Sequence, residues 1–198
     1  MISQEEWVLA SASPRRVELL SRLGISFRKQ PSHSEEPSPK PNEKPEEYAI
    51  RSAAHKAEDV QSTLPHHAIW LLAADTIVVL DEHILGKPTD EDHAFDMLSR
   101  LQGRSHEVYT AFALYHKQRG IAHTEAVQTR VWFRPLTPAQ IRRYIATGEP
   151  MDKAGAYGIQ GRGSALVRRV EGCYFNVVGL PLNRLAEAIE DLGAGQLI

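Results

Sequence analysis

Residues 7–16 constrain the fold more than any other stretch, because a strand, a Ser-rich turn and a helix follow one another there. The apolar segment from Trp7 to Ala10 is typical of a buried strand. Beyond the turn, Val17, Leu20 and Leu23 recur at a spacing of three residues and predict one apolar face of an amphipathic helix. A chain that passes directly from strand to helix is typical of α/β proteins.

The sequence also predicts where this helix begins and ends. Ser13 has the side chain of a good N-cap, Pro14 suits the first helical position, and Gly24 suits the residue after the last turn. Strands and helices alternate along the rest of the chain, and adjacent strands follow residue 105. We therefore predict an α/β protein with a mixed, twisted sheet and flanking helices, in a single domain over residues 1–198.

Two arginines occupy the first turn of the predicted helix, where the helix dipole favours anions over cations. Arg15 and Arg16 cost stability there unless an anion is bound. Together with Ser11, Ser13 and the free amides of the helix, they could form a phosphate site. The alternative is a surface helix whose arginines point into solvent. These residues alone do not separate the two interpretations.

Composition excludes several classes of protein. The formal net charge of -2 provides no overall basic field for nucleic acid, so any phosphate must be bound locally. Cys173 is the only cysteine, which excludes an intramolecular disulfide and fits a reducing compartment. We see neither a secretion signal nor an apolar run long enough to span a bilayer. The expectation is a cytoplasmic protein that binds neither nucleic acid nor membrane.

Asp75 is the most unusual residue, because it interrupts the long apolar run from Ala68 to Leu80. The β-branched residues of that run predict a strand. A carboxylate buried in a strand is costly unless it is paired, hydrogen-bonded or bound to a metal. The alternative is an aspartate that caps a turn between two strands. We favour a functional role.

Other polar residues extend the pattern. Glu36 lies in a Pro-rich loop, Lys56 borders the apolar stripe of a predicted helix, and Lys87 lies between a glycine and a proline. Each has a structural alternative, since charged loops are usually solvated and lysines usually extend into water. Taken together, four cations and two carboxylates suit the binding of a nucleoside triphosphate with Mg²⁺. These residues are Arg15, Arg16, Lys56, Lys87, Glu36 and Asp75. No Walker A, GxGxxG or zinc-type spacing occurs.

In five motifs, the sequence resembles the Maf family of nucleoside triphosphate pyrophosphatases. One motif alone would be weak, but the five occur in the family's order and span nearly the whole chain. They are Leu9-Ala10-Ser11-Ala12-Ser13-Pro14-Arg15-Arg16, Ala74-Asp75-Thr76, Gly86-Lys87-Pro88, Asp152-Lys153-Ala154-Gly155-Ala156-Tyr157-Gly158-Ile159-Gln160-Gly161 and Val178-Gly179-Leu180-Pro181.

The resemblance implies a fold like that of the inosine triphosphate pyrophosphatases (Maf/Ham1), with two lobes around a central cleft. It implies hydrolysis between the α- and β-phosphates, and the form of the segment 156–161 resembles the branch that acts on dTTP and UTP. The site residues that it implies are the acid–base residue Asp75, the substrate-selecting residues Arg15, Thr76 and Gln160, the phosphate-binding residues Arg16, Lys56 and Lys87, and the metal-linked residues Glu36 and Asp75.

Some alternatives stay open at this point. Ser34 replaces the apolar residue that the family usually has before its acidic pair, which weakens the assignment of Glu36. The same chemistry could serve 7-methyl-GTP or another non-standard nucleotide, and a nucleotide-binding regulator of cell division is a rival from another class. The expected cofactor is a divalent cation, Mg²⁺ or Mn²⁺. The sequence leaves the oligomeric state open, with a homodimer as one of the alternatives.

Overall fold

The computed structural model describes residues 5–65 and 69–197, which form a mixed α/β protein. The strands of the described residues are β1 (Glu6–Leu9), β2 (Arg28–Lys29), β3 (Ile69–Leu80), β4 (His83–Leu85), β5 (Ser105–His116), β6 (Ile121–Phe133) and β7 (Val167–Glu171). The α-helices are α1 (Pro14–Arg22), α2 (Pro45–Thr63), α3 (Glu91–Leu101), α4 (Pro138–Ile145), α5 (Tyr174–Val178) and α6 (Leu182–Asp191). Ala68, the predicted start of the third strand, lies outside the described residues.

The strands form one sheet in the order β2-β1-β3-β5-β6-β7, and β4 pairs with β3. Strand β1 is parallel to both β2 and β3, with Val8 opposite Arg28 on one side and Leu71 on the other. The pairs β3–β4 and β6–β7 are antiparallel. Parallel and antiparallel pairs therefore coexist, and the predicted mixed sheet is confirmed.

Strand β3 runs without interruption through Asp75. The alternative of a turn at this position is therefore wrong. The strand ends instead at a two-residue turn, because Leu80 pairs with His83 across it. The turn residues Asp81 and Glu82 both have positive φ, as a tight hairpin requires.

Local signals placed most helix ends correctly. Ser13 caps α1 by accepting from the Arg16 amide, and Gly24 follows that helix with φ of 70°. Asp90 caps α3, and its side chain accepts from the amide of His93. The short helix α5 had no sequence signal, because its five residues are fewer than two turns and show no readable period. None of the helices in the described ranges combines the length and hydropathy needed to cross a membrane.

The chain divides into two compact units, and the prediction of a single domain stays a prediction. The first unit comprises Met1–Asp75, Thr110–Val127 and Gly179–Ile198. In its core, the indoles of Trp7 and Trp70 are stacked with their centroids 5.6 Å apart.

The second unit comprises Thr76–Tyr109 and Gln128–Val178. In it, α3 packs against α4. Both helices bury the faces that their periodicity predicts, and the buried residues are Ala94, Met97, Leu98 and Leu101 on α3 and Ile141, Tyr144 and Ile145 on α4.

Candidate functional site

In the first unit, the ammonium of Lys56 bridges two carboxylates. Its Nζ lies 2.5 Å from Oδ1 of Asp75 and 2.9 Å from Oε1 of Glu36. The Lys56 and Asp75 side chains are 14% and 9% exposed, whereas that of Glu36 is 53% exposed. The buried carboxylate is therefore paired, and the lysine does not simply extend into water. The cluster is thus largely buried at Lys56 and Asp75 and exposed at Glu36.

Strand and helix positions explain this arrangement. Asp75 lies on β3, and Lys56 lies on α2 next to Ala57, which is fully buried. The backbone therefore sets the lysine at the edge of the core, where its stem is covered and its ammonium reaches the strand. Because the two charges compensate each other, the core can hold both.

The loop that carries Glu36 is tied to α2 by Asp59. One oxygen of Asp59, Oδ2, accepts hydrogen bonds from Ser32 Oγ at 2.7 Å and from the backbone amides of His33 and Ser34 at 3.1 and 3.4 Å. The Ser32 hydroxyl and these amides hold the pKa of Asp59 below its ordinary value, although burial opposes the shift. Ser34, which departs from the family pattern, thus belongs to an anchored turn.

On the other side of Glu36, the same loop is tied to α2 by Arg51. Its Nη2 donates to the carbonyl oxygen of Ser38 at 3.0 Å, and its guanidinium pairs with Glu43. Sequence reasoning missed Asp59 and Arg51 as supports of this loop. A signal for Asp59 was available, because it lies three residues after Lys56 and thus on the same face of the helix.

The start of α1 also belongs to the first unit and is organised around Arg16. Its Nε donates to the carbonyl oxygen of Gly179 at 2.9 Å, and its Nη1 donates to Ser11 Oγ at 3.4 Å. Ser11 Oγ also accepts from the amide of Ser13 at 3.2 Å. The alternative of two arginines in open solvent is therefore wrong for Arg16. Arg15 is half-buried.

Arg16 and the carboxylate pair influence each other electrostatically. Burial lowers the pKa of Arg16 below its ordinary value, the negative charges of Asp75 and Glu36 oppose the shift, and Arg15 adds to it. Two arginines at a helix N-terminus, beside a lysine and two carboxylates, form an arrangement that can bind a phosphate chain.

The structure thus brings together Ser11, Ser13, Arg16, Glu36, Lys56 and Asp75 within the first unit. Thr76 follows Asp75 in β3 and is half-buried, whereas Lys87 and Gln160 are exposed in the second unit. The roles predicted for all these residues stay predictions.

Within the second unit, the segments of Lys87 and Gln160 are linked through Gly155. Its amide donates to the carbonyl oxygen of Gly86 at 3.0 Å. Gly155 has φ of +66°, and a Cβ there would lie 2.8 Å from Cγ1 of Val78. Only glycine fits this conformation and this space without strain.

Tyr157, in the same glycine-rich segment, is buried against His106. Its hydroxyl lies 2.8 Å from Nε2 of His106, and both rings contact Phe133 edge-on. Burial lowers the pKa of His106 from 6.5 to about 3, so the imidazole is neutral at physiological pH.

We expect His106 to make the protein sensitive to mild acid. The unfolded chain protonates this imidazole below about pH 6.5, whereas the folded chain resists protonation, so stability is complete above that pH and falls below it. One such group contributes up to about 1.4 kcal/mol per pH unit. We would measure the free energy of unfolding by urea between about pH 7.5 and pH 5. Its slope against pH should be smaller for His106→Gln than for wild type. The exposed-site control His83→Gln should keep the wild-type slope, and equal slopes in all three proteins would contradict this explanation.

The two carboxylates of the cluster have the donor chemistry of a divalent-cation site that phosphate and water oxygens would complete. Within residues 5–65 and 69–197, no group of three or more His, Cys, Asp or Glu side chains could hold a metal ion. Asp75 and Glu36 both reach the same ammonium, so two carboxylates converge on one cation. Mg²⁺ is commonly held by one or two carboxylates, with phosphate and water oxygens completing its shell. Oxygen donors of this kind suit Mg²⁺ or Mn²⁺.

Comparison with known proteins agrees with the sequence motifs. A protein from Syntrophomonas wolfei named dTTP/UTP pyrophosphatase is 54% identical over 177 residues, covering 89% of this chain and 92% of the relative. One from Geotalea uraniireducens with the same name is 47% identical, covering 98% of both chains. Among solved structures, a HAM1 protein from Coxiella burnetii aligns with a TM-score of 0.48 and 14% identity, over 95% of this chain and 100% of that one. The family described as Maf-like protein matches residues 6–192. Because the family match covers residues 6–192 and the two named pyrophosphatases are 54% and 47% identical to it, the chain belongs to the Maf-like protein family.

Proposed function

We propose that this protein is a nucleoside triphosphate pyrophosphatase that hydrolyses dTTP and UTP to the nucleoside monophosphate and pyrophosphate. The observation that carries the proposal is the Lys56 bridge between Asp75 and Glu36 in a site that also contains Arg16. The names of the relatives from Syntrophomonas wolfei and Geotalea uraniireducens support the choice of substrates.

In this mechanism, the cations of the site bind the triphosphate. The amides at the start of α1, Arg16 and Lys56 neutralise phosphate oxygens, and Arg15 and Lys87 have the charge to contribute. Lys56 already contacts two carboxylates through one ammonium, so a phosphate oxygen can replace one of these contacts without leaving the lysine unpaired.

Asp75 acts as the base in the proposed reaction. Its carboxylate takes a proton from a water molecule, whose oxygen forms a bond to the α-phosphorus. The bond between the α-phosphorus and the oxygen that bridges it to the β-phosphorus breaks, and pyrophosphate leaves with that electron pair. Lys56 compensates the negative charge of Asp75 before the reaction and that of the phosphates during it.

A divalent cation, Mg²⁺ or Mn²⁺, is the cofactor that we propose. Glu36 and Asp75 would hold it, since theirs are the carboxylates that meet in the site. When bound, such an ion neutralises negative charge on the phosphate oxygens.

Base selection is assigned to Arg15, Thr76 and Gln160. The amide of Gln160 offers one donor group and one acceptor, as the edge of uracil or thymine requires. We also propose that the protein acts in the cytoplasm on free nucleotides, without nucleic acid or membrane partners. The single cysteine and the net charge of -2 support this setting. As its assembly we propose a homodimer, and a sedimentation measurement of the molecular mass in solution would test this.

We expect dTTP and UTP to yield monophosphate and pyrophosphate rather than diphosphate and orthophosphate. The measurement is a panel of nucleotides with Mg²⁺ or Mn²⁺, with products separated by ion-exchange chromatography. Orthophosphate as the first product would exclude a pyrophosphatase. Faster hydrolysis of 7-methyl-GTP than of either pyrimidine would overturn the substrate class alone, and tight binding without hydrolysis would indicate a regulator.

A further inference from the structure

In the second unit, the carboxylate of Glu149 lies at the centre of the loop that carries Gln160. Its Oε2 accepts from the amide of Arg162 at 2.8 Å, and its Oε1 accepts from the amide of Gly163 at 2.9 Å. Oε1 also accepts from the hydroxyl of Tyr144 at 2.9 Å. That hydroxyl in turn accepts from the amide of Gly158 at 3.1 Å. Both ends of the segment 158–163 are therefore bound to one carboxylate, directly or through one hydroxyl.

The glycines of this loop allow it to close on the carboxylate. A Cβ at Gly161 would lie 2.4 Å from Oε2 of Glu149, and one at Gly163 would lie 2.6 Å from the hydroxyl of Tyr144. Any side chain at these positions would force the carboxylate or the loop to move. Gln160, next to Gly161, is exposed, so the closely packed loop carries this residue at the surface.

Glu149 is itself held from several directions. Its amide donates to Thr147 Oγ1 at 3.2 Å, and its carbonyl oxygen accepts from Nζ of Lys153 at 2.6 Å. Burial raises the pKa of this carboxyl, but the amides of Gly163 and Arg162 and the Tyr144 hydroxyl outweigh that effect, so its pKa lies below the ordinary value. At neutral pH it is an ionised, pure acceptor, and its hydrogen bonds are charge-assisted.

We propose that Glu149 is a positioning residue for base selection: its carboxylate fixes the loop 158–163 and thereby the direction in which Gln160 presents its amide. This inference rests on the proposed function, in which Gln160 reads the pyrimidine edge. A hydrogen-bonding residue selects among bases only while its geometry is held, because a shift of about 1 Å is enough to lose the interaction. Glu149 acts through the loop and does not touch the nucleotide.

The sharpest kinetic test compares UTP with CTP, which differ only at the hydrogen-bonding edge of the base. Glu149→Gln keeps the size of the side chain, but its NH₂ group cannot accept from the loop. We expect the ratio of kcat/KM for UTP over CTP to fall about tenfold, chiefly through a higher KM for UTP. Tyr144→Phe, which removes the partner of Gly158, should lower the ratio less. Glu171→Gln, an exposed control in the same unit, should leave it unchanged.

Amide hydrogen exchange tests the positioning step without turnover. The amides of residues 158–163 should exchange about tenfold faster or more in Glu149→Gln than in wild type, while those of α3 should not change. A wild-type exchange rate in the variant would overturn the inference. Faster exchange with an unchanged UTP/CTP ratio would also overturn it, because a purely structural role produces that result.

A Gln160→Ala variant separates the two proposals. If it loses selectivity while Glu149→Gln retains it, the positioning role fails and the proposed function stands. If Gln160→Ala retains the wild-type ratio, base reading by Gln160 fails, and the positioning role that depends on it fails as well. If the wild-type enzyme hydrolyses neither UTP nor dTTP, the proposed function fails directly.

Discussion

Asp75→Asn should lower turnover of UTP by roughly two to four orders of magnitude, the range attributed to a general base. Asparagine keeps the size of the side chain but can neither accept the proton of the attacking water nor offer a charged oxygen to a metal. The measurement is pyrophosphate release at saturating substrate. Asp191→Asn, which alters an exposed carboxylate at the end of α6, is the matched control and should retain full activity.

The structure also determines the direction of the stability change in this variant. An unpaired buried carboxylate would destabilise the fold, and its removal would raise the melting temperature. Asp75 is instead paired with Lys56, whose side chain is only 14% exposed. Its removal leaves that ammonium with the exposed carboxylate of Glu36, whose Oε1 lies 2.9 Å away. We therefore expect a loss of about 1–3 kcal/mol. A fully active variant would contradict the proposed mechanism.

Replacing Arg15 and Arg16 together by glutamine should nearly abolish stabilisation by a nucleotide. A ligand at about 100 times its Kd stabilises a folded protein by about 2.7 kcal/mol, and this gain disappears when the phosphate site is lost. The measurement is a pair of thermal melts, with and without a non-hydrolysable UTP analogue and Mg²⁺. Arg22→Gln, in the last turn of the same helix, should be stabilised like wild type.

The single variants should differ in the absence of ligand. Arg16→Gln should melt at a lower temperature, because Arg16 donates to the Gly179 carbonyl and to Ser11. Arg15→Gln removes a cation that the helix dipole disfavours, so its melting temperature should stay equal or rise slightly. If the analogue stabilises the double variant as strongly as wild type, the start of α1 is not the phosphate site.

Local signals were sufficient wherever a structure depends on neighbouring residues. The Ser13 cap and the end of α1 at Gly24 were both predicted, because each is decided within a few residues along the chain. The sequence alone also indicated that Asp75 is a candidate site residue, because a charged side chain interrupts an apolar run there. The β3 strand was predicted, but only the structure shows that it continues through that charge.

The partners of these residues could not be predicted in the same way. Lys56 and Asp75 are 19 residues apart, and Glu149 and Gly163 are 14 apart. Periodicity shows which face of an element is buried but not which element packs against it. Asp59 and Glu149 therefore looked like ordinary surface carboxylates, although each holds a loop that carries a candidate site residue.

The sequence by itself determined the α/β class, most element positions and the family, and it singled out Arg16, Glu36, Lys56 and Asp75 as candidate site residues. Only the tertiary structure decided that Lys56 bridges Asp75 and Glu36, that Arg16 reaches Gly179, and that Glu149 holds the loop of Gln160. The physical reason is that helix and strand signals arise from short-range backbone geometry, whereas the pairing of buried charges depends on which distant segments packing brings within hydrogen-bond distance.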